Sequence, residues 1–146
     1  MGRVRETMIG FQIDVTGYQH KEGKLDMYTG HKIAPGFFAW AIPTGTTTRI
    51  GTFSRPDLLG TRSSEETLTE LINHELWKHR FDGCSEVGRY CGPVPAKPIR
   101  KPAVGRVFVF GDAAGLCKPT TGGGIGPGFL HVDNSLELIS NVIGSD

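Results

Sequence analysis

The most informative segment of the sequence is VFVFGDAAGLCKPTTGGGIGPGF, residues 107–129. Six of the chain's 21 glycines lie within the sixteen residues that follow its apolar run at 107–110. An apolar run without alternation is typical of a strand buried on both faces. The helical pattern that follows, at about 127–143, has Pro127 at an early position and Gly144 at its end. The segment therefore predicts a buried strand, a glycine-rich loop and a C-terminal helix.

A glycine loop before a helix predicts a ligand site. The first amide groups of a helix lack partners and carry partial positive charge, which favours an anion or an electron-rich oxygen. Glycines let the backbone approach such a ligand closely. The loop matches neither common phosphate loop, because Lys118 precedes the glycines and position 127 is proline. From these patterns alone, a connection made for close packing remains the alternative.

The first half of the chain has the alternation of half-buried strands. Strands are predicted at residues 7–15, 24–28, 37–43 and 46–53, with the first two paired as a hairpin. Their short, regular spacing indicates an antiparallel meander. The whole pattern predicts an α+β fold.

A helix is predicted over residues 64–80, because Ser63 and Glu66 have capping-box spacing. Its apolar face would be formed by Leu68, Leu71, Ile72 and Leu76. We expect it to end by Gly83, followed by a short strand at 85–90. Residues 92–104 contain four prolines and are expected to form an extended crossing segment.

The run Val-Phe-Val-Phe-Gly-Asp-Ala-Ala-Gly resembles the second flavin motif of FAD-dependent oxidoreductases built like the aromatic hydroxylases. The longer match, Gly-Asp-Ala-Ala-Gly-x-x-Lys-Pro-Thr-Thr-Gly-Gly-Gly-Ile, resembles the geranylgeranyl reductase family. The resemblance implies that Asp112 holds the ribityl hydroxyls of FAD. It also implies that the backbone of the glycine loop faces the flavin ring. The implied cofactor-binding residues are Gly111, Asp112, Pro119, Gly122, Gly123, Gly124 and Ile125.

A second motif, Ala34-Pro35-Gly36-Phe37-Phe38-Ala39-Trp40-Ala41-Ile42-Pro43, resembles the substrate-domain signature of the same family. The resemblance implies an apolar substrate wall that contains Phe38, Trp40 and Pro43. Phe38 stands where tyrosine is usual, so a polar role at that position is in doubt. A plain core strand with aromatic residues is the alternative for each side chain taken singly.

The resemblance implies two parts: residues 1–104 from a substrate domain and 105–146 from the C-terminal end of an FAD-binding domain. Members of the family begin with a βαβ unit that carries a G-x-G-x-x-G fingerprint, and this sequence contains no such segment. We therefore expect the chain alone to purify without FAD. A chain that supplies the missing FAD half is one implied partner.

The implied reaction is FAD-dependent reduction of isoprenoid carbon–carbon double bonds, in lipids or chlorophyll side chains, and no residue stands out as its acid. The alternative is a non-catalytic relative that binds an isoprenoid lipid or a partner protein. The predicted C-terminal helix carries apolar residues on two sides, which predicts a homo-oligomer. Lipid substrates would also allow peripheral contact with a membrane.

The charge, the cysteines and the histidines argue against a nucleic-acid partner, a disulfide framework and a metal site. A net charge of +1 argues against a nucleic-acid partner. Three cysteines and a polar start favour reduced thiols and a cytoplasmic location. No metal site is expected, because His74 and His79 are five residues apart and face different sides of a helix. Cys117 is expected to be a small buried filler; Lys118 would either steady an anionic flavin or reach solvent; His131 is expected to be structural.

Overall fold

The computed structural model describes residues 7–95, 97–98, 101–118 and 120–144. The chain divides into two compact units, a first from Met8 to Pro93 and a second from Val94 onward, to which Thr7 also belongs. The assignment of residues 1–104 to a substrate domain and 105–146 to a flavin domain stays a prediction. Strands and helices occur in both units, so the α+β class is confirmed.

The first unit is built on a five-stranded sheet. Its strands are β1 (Thr7–Thr16), β2 (Asp26–Tyr28), β3 (Ala39–Pro43), β4 (Thr48–Ser54) and β5 (Ser85–Pro95). They lie side by side in the order β2-β3-β4-β1-β5. Strands β2, β3 and β4 form an antiparallel meander, which is three of the four strands predicted for it, and β1 pairs antiparallel with β4.

The predicted hairpin between the first two strands is wrong. β1 and β4 share a register of seven residue pairs, whereas β2 has three residues and pairs with β3. The connection after β1 turns into the core, where the Tyr18 hydroxyl lies 2.5 Å from that of Tyr28 and donates to Asp26. Arg80 also pairs with Asp26, at 2.5 Å. Because these contacts anchor Tyr18 and Asp26, the chain between β1 and β2 does not form the tight turn that a hairpin needs.

One face of the sheet carries the hydrophobic core. Alternation along β1 sends Phe11, Ile13 and Val15 to this face, where they cluster with Ile50 of β4. Helix α2 (Ser64–Ile72) covers the cluster with Leu68 and Leu71, and Leu71 is fully buried. A shorter helix, α1 (Pro56–Leu59), precedes α2.

The predicted capping box is confirmed, but the predicted length of α2 is wrong. The Glu66 amide donates to Ser63 Oγ and the Ser63 amide donates to the Glu66 carboxylate. The helix ends at Ile72, because the Asn73 side chain donates to the Thr69 carbonyl and competes with the backbone. The Trp77 indole then donates to a carbonyl of the last turn, that of Leu71.

Leu76, which the longer helix would have buried, is 72% exposed. The chain forms only a 3₁₀ turn at Lys78–Arg80 before β5. β5 continues through Pro93 to Pro95, so the expected change to a crossing segment at residue 92 is also wrong. Proline is tolerated there because β5 is an edge strand of the sheet.

The second unit contains a two-stranded ladder of β6 (Ala103–Val104) and β7 (Val107–Phe108), a 3₁₀ turn at Gly111–Ala114, and helix α3 (Ile125–Ile143). The C-terminal helix is thus confirmed. The strand at 107–110 is not buried on both faces: Val107 is 64% exposed. Its partner strand β6 is itself exposed. No element in the described part of this unit therefore covers both faces of the two-stranded ladder.

Helix α3 has no buried residue, although it is the longest described helix. Large apolar side chains on it are exposed: Ile125, Phe129, Leu130, Val132, Leu136, Leu138 and Ile143. Within the ranges that the structure describes, no helix is long and apolar enough to cross a membrane.

Candidate functional site

The glycine loop and the start of α3 form a cavity of about 580 Å³ within the second unit. The loop side contributes glycine backbone and the Asp112 carboxylate, and the helix side contributes large apolar groups. The lining residues are Phe110, Gly111, Asp112, Gly122, Gly124, Ile125, Gly128, Phe129 and Val132. A wall of this kind can lie against a flat apolar ring and still offer one charged acceptor.

The shape of the loop depends on glycine. Gly111 and Gly122 have φ of +58° and +68°, in the left-handed region that other residues rarely adopt. Between them the chain makes a 3₁₀ turn, and the Leu116 amide donates to the Gly111 carbonyl at 3.1 Å. The loop then closes where the Gly122 amide donates to the Lys118 carbonyl at 2.8 Å. This path brings Gly111 and Gly122 to one cavity.

Five of the seven residues predicted to bind cofactor line this cavity: Gly111, Asp112, Gly122, Gly124 and Ile125. Gly123 is exposed and is not part of the lining. Pro119 lies outside the described residues. Lys118 is exposed and is also absent from the lining. Of the two roles considered for it, this position agrees with a side chain that reaches solvent.

The N-terminus of α3 borders the cavity through Gly124 and Ile125. Gly124 is the N-cap residue and no side chain caps this end of the helix. The first amide groups of a helix need partners, so an uncapped end next to a cavity favours a ligand with acceptor atoms. The helix therefore adds partial positive charge to the cavity wall beside the Asp112 carboxylate.

Cys117 contributes a contact that sequence reasoning missed. Its side chain is buried, as expected of a filler, but Sγ also donates to Asp112 Oδ1 at 3.2 Å. Burial, the hydrogen bond and the negative charge of Asp112 raise the pKa of the Cys117 thiol to about 11. The five-residue spacing between Asp112 and Cys117 gave no signal, because only the 3₁₀ turn brings them together.

Further along α3, the His131 ring packs on Phe110 with centroids 5.1 Å apart. Its Nδ1 is buried and has no hydrogen-bond partner among the described residues. The contact with Phe110 fits the structural role that was expected of His131.

The first unit brings together an aromatic cluster on the sheet face opposite α2. The cluster consists of Phe37, Phe38, Trp40 and Phe53, with ring centroids 4.8–6.4 Å apart. Trp40 lies across Gly51, its register partner on β4. A Cβ at Gly51 would overlap the indole and lie 2.8 Å from Gln12 Cβ, so only glycine lets Trp40 lie flat on the sheet.

Two of the three predicted substrate residues, Phe38 and Trp40, belong to this aromatic cluster. Pro43 does not, because strand alternation places it with Ala39 and Ala41 on the face that carries α2. Exposed Ile42 and Met27 extend the face that carries the cluster. The face is therefore apolar and aromatic around Trp40, as the sequence motif implies for a substrate wall.

A fixed ion pair lies further along the same sheet face. Arg49 makes two hydrogen bonds to the Asp14 carboxylate, at 2.8 and 2.9 Å, across the β1–β4 register. The Arg49 guanidinium holds the pKa of Asp14 below its usual range. Tyr90 of β5 stacks on that guanidinium at 5.7 Å. The aromatic cluster thus borders a rigid polar group rather than a free cation.

Metal chemistry has no support in the described part of the chain, which contains no cluster of histidine, cysteine and acidic residues able to hold an ion. His74 stacks on Trp77 at 4.1 Å, and His79 is exposed within the 3₁₀ turn. The three cysteines are free thiols.

Comparison with known proteins finds reductases of isoprenoid compounds. The chain is 35% identical over 127 residues to a digeranylgeranylglycerophospholipid reductase of Methanocaldococcus jannaschii, which covers 82% of this chain and 30% of the relative. It is 29% identical to a chloroplastic geranylgeranyl diphosphate reductase of Oryza sativa, over 73% of this chain and 22% of that protein. The chain thus spans about a third or less of the curated relatives that it matches.

Solved structures show the same fold. A geranylgeranyl bacteriochlorophyll reductase-like protein from Thermoplasma acidophilum matches 97% of this chain and 35% of its own, with a TM-score of 0.81 and 22% identity. A flavin-dependent brominase matches 97% of this chain and 37% of its own, with a TM-score of 0.75 and 15% identity. No family model matches the chain.

These relatives are named as enzymes, which does not favour the non-catalytic alternative. The two motifs that carry the resemblance fall in a glycine-lined cavity and an aromatic sheet face. Sequence identity along most of the chain agrees with the fold. This chain is a member of the geranylgeranyl reductase family, homologous to one segment of its longer members.

Proposed function

We propose that this chain forms part of an FAD-dependent reductase that acts on carbon–carbon double bonds of isoprenoid compounds. The observation that carries the proposal is the cavity lined by Gly111, Asp112, Gly122, Gly124 and Ile125, the residues that the flavin motif implies. The names of the sequence relatives support the isoprenoid substrate, and those of structural neighbours support a flavin.

The cavity residues fit the ring and ribityl portion of a flavin. The Cβ that Gly124 lacks would lie 2.8 Å from Asp112 Oδ1, so glycine at this position keeps the carboxylate beside the helix end. Phe129 and Val132 offer apolar surface to a ring, and the Asp112 carboxylate offers acceptors to hydroxyl groups. The uncapped end of α3 would stabilise negative charge on the ring.

When bound, the reduced flavin would supply a hydride equivalent to the substrate double bond. The chain's own contribution would be orientation and exclusion of water. Asp112 would fix the ribityl chain, and the aromatic cluster around Trp40 would hold an isoprenoid chain by apolar contact. Phe38 has no hydroxyl, so it would contribute apolar surface alone.

We also propose that another protein chain packs against the exposed apolar side chains of α3. Leaving its large apolar side chains in water costs about 1.5–3 kcal/mol each relative to burial. Either a second copy of this chain or a chain that carries a dinucleotide-binding half would remove them from water. A lipid substrate would bring a cytoplasmic protein of this kind into peripheral contact with a membrane.

Titration with flavin mononucleotide (FMN), followed by flavin fluorescence, tests the cofactor site in the chain as it stands. We expect purification without stoichiometric FAD and weak, saturable binding of FMN. Asp112→Ala should weaken that binding about tenfold or more, because a charged acceptor is lost. Asp133→Ala, an exposed carboxylate on α3, is the matched control and should bind like the parent chain.

Two results would overturn the cofactor proposal. One is no change in FMN fluorescence at millimolar protein, and the other is equal affinity for the parent chain and Asp112→Ala. Retention of stoichiometric FAD after dialysis would refute the narrower expectation that the chain loses its cofactor on purification.

A further inference from the structure

The carboxylate of Asp112 is held on two sides within the second unit. On one side Cys117 Sγ donates to Oδ1 at 3.2 Å. On the other, the backbone of Gly124 approaches so closely that a Cβ would lie 2.8 Å from Oδ1 and 3.6 Å from Sγ. Asp112 itself sits in the 3₁₀ turn, where the Gly115 amide donates to its carbonyl at 2.9 Å. Backbone and side chain of Asp112 are therefore both fixed.

Cys117 is suited to donate rather than to react. Its side chain is 6% exposed, and its raised pKa, caused first by burial and then by Asp112, keeps the thiol protonated at neutral pH. A protonated thiol is a poor nucleophile, and although it is a weak hydrogen-bond donor it can donate to a charged carboxylate. Cys84, the other partly buried cysteine, has only a distant contact with a backbone carbonyl, at 4.0 Å.

We propose that Cys117 is a positioning residue for Asp112: its thiol holds Oδ1 and leaves Oδ2 to accept a hydroxyl of the ligand in the cavity. This inference rests on the proposed function for the identity of that ligand, a flavin ribityl chain. The contact between Sγ and Oδ1 does not depend on it. Cys117 has no place in the cavity lining and acts only through Asp112.

The first experiment measures the contact without a flavin. In a Cys84→Ser, Cys91→Ser background, the Cβ chemical shift of ¹³C-labelled Cys117 is followed by NMR as the pH is raised. We expect Asp112→Asn to lower the pKa of the thiol from about 11 toward the ordinary thiol value, because a negative neighbour is removed. Asp133→Asn is the matched control. An unchanged thiol pKa in Asp112→Asn would overturn the proposal.

The second experiment measures the consequence with FMN as the probe. Cys117→Ala removes the donor and should weaken binding about tenfold, the effect of one hydrogen bond to a charged group. Cys117→Ser restores a donor and should return affinity to within about threefold of the parent chain. Cys84→Ala should bind like the parent. Equal affinity of Cys117→Ala and the parent chain, both folded by circular dichroism, would also overturn the proposal.

The two experiments separate the inference from the proposed function. If FMN fails to bind the parent chain, the cofactor proposal fails, and the thiol titration still decides whether Cys117 and Asp112 are coupled. If FMN binds with an affinity that depends on Asp112 but not on Cys117, the proposed function stands and the positioning role of Cys117 is refuted.

Discussion

The two units of this chain use their apolar residues in opposite ways. From Met8 to Pro93, alternating strands and one amphipathic helix bury a continuous core that includes Ile50 and Leu71. From Val94 onward, the only buried hydrophobic side chains in the described residues are Ala114 and Cys117. Helix α3 exposes larger side chains than any that the second unit buries. The first unit thus contains its own hydrophobic stabilisation, whereas the described part of the second unit leaves most of its large apolar side chains exposed.

The largest effect should come from the core of the first unit. Leu71→Ala leaves a cavity beneath α2 and should lower the free energy of unfolding by about 2–5 kcal/mol. Leu76→Ala is the control, because the same substitution at a 72% exposed position should change stability by less than about 0.5 kcal/mol. Urea unfolding of both variants measures the difference. Similar losses would mean that Leu76 is packed and that the helix continues past Ile72.

The next effect concerns the exposed helix of the second unit. If α3 associates with a second copy, Leu138→Asp should weaken self-association by about tenfold or more, since one large side chain contributes about 1.5–3 kcal/mol when buried. Asn134→Asp adds the same charge on the same helix without removing apolar surface. Light scattering across a concentration series measures the mass. A monomer of 15.8 kDa at every concentration would refute self-association.

A smaller effect is expected where Trp40 crosses Gly51. Gly51→Ala places a methyl group inside the indole and should cost about 1–3 kcal/mol through overpacking. The displaced ring should also change tryptophan fluorescence. Gly92→Ala is the control, because the Cβ position at Gly92 has open space around it. Gly45→Ala would not serve, because the φ of +88° at Gly45 adds backbone strain. Gly92→Ala should leave both stability and fluorescence nearly unchanged; equal effects would contradict the close contact.

The smallest effect should come from the ion pair between β1 and β4. Because Arg49 lowers the pKa of Asp14, the pair stabilises the folded state above the ordinary carboxyl pKa and stops doing so as pH falls through the lowered value. Arg49 is 40% exposed, so Asp14→Asn should cost only about 0.2–1 kcal/mol at neutral pH. Urea unfolding at pH 7 and about pH 2.5 measures this. A deficit that persists undiminished in acid would point to packing instead of charge.

Several parts of the fold were predictable because their signals are local. The Ser63–Glu66 capping box depends on residues three apart, and the structure shows both of its hydrogen bonds. Alternation located β1, β3 and β4 to within a few residues. Glycine content and motif together predicted the loop before α3, and five of its implied ligand residues share one cavity.

Other features depended on contacts between distant residues. The Asp112–Cys117 hydrogen bond follows from the path of the 3₁₀ turn, which residue types do not encode one by one. The end of α2 at Ile72 depended on two side chains that bond carbonyls of its last turns, those of Asn73 and Trp77. Periodicity extended the helix to Leu76 because it counts apolar residues without asking what they contact.

Patterns along the chain were enough to predict the alternating strands, the capped start of α2, the glycine loop and the family to which the chain belongs, because each rests on neighbouring residues or on the order of residue types. The three-dimensional fold was needed to show that β1 pairs with β4 instead of β2, and that the apolar run at 107–110 is not enclosed by the described residues. Strand order depends on which register buries the most apolar surface, and burial depends on what covers a face. Neither quantity can be read from a local pattern, because both are properties of pairs of elements.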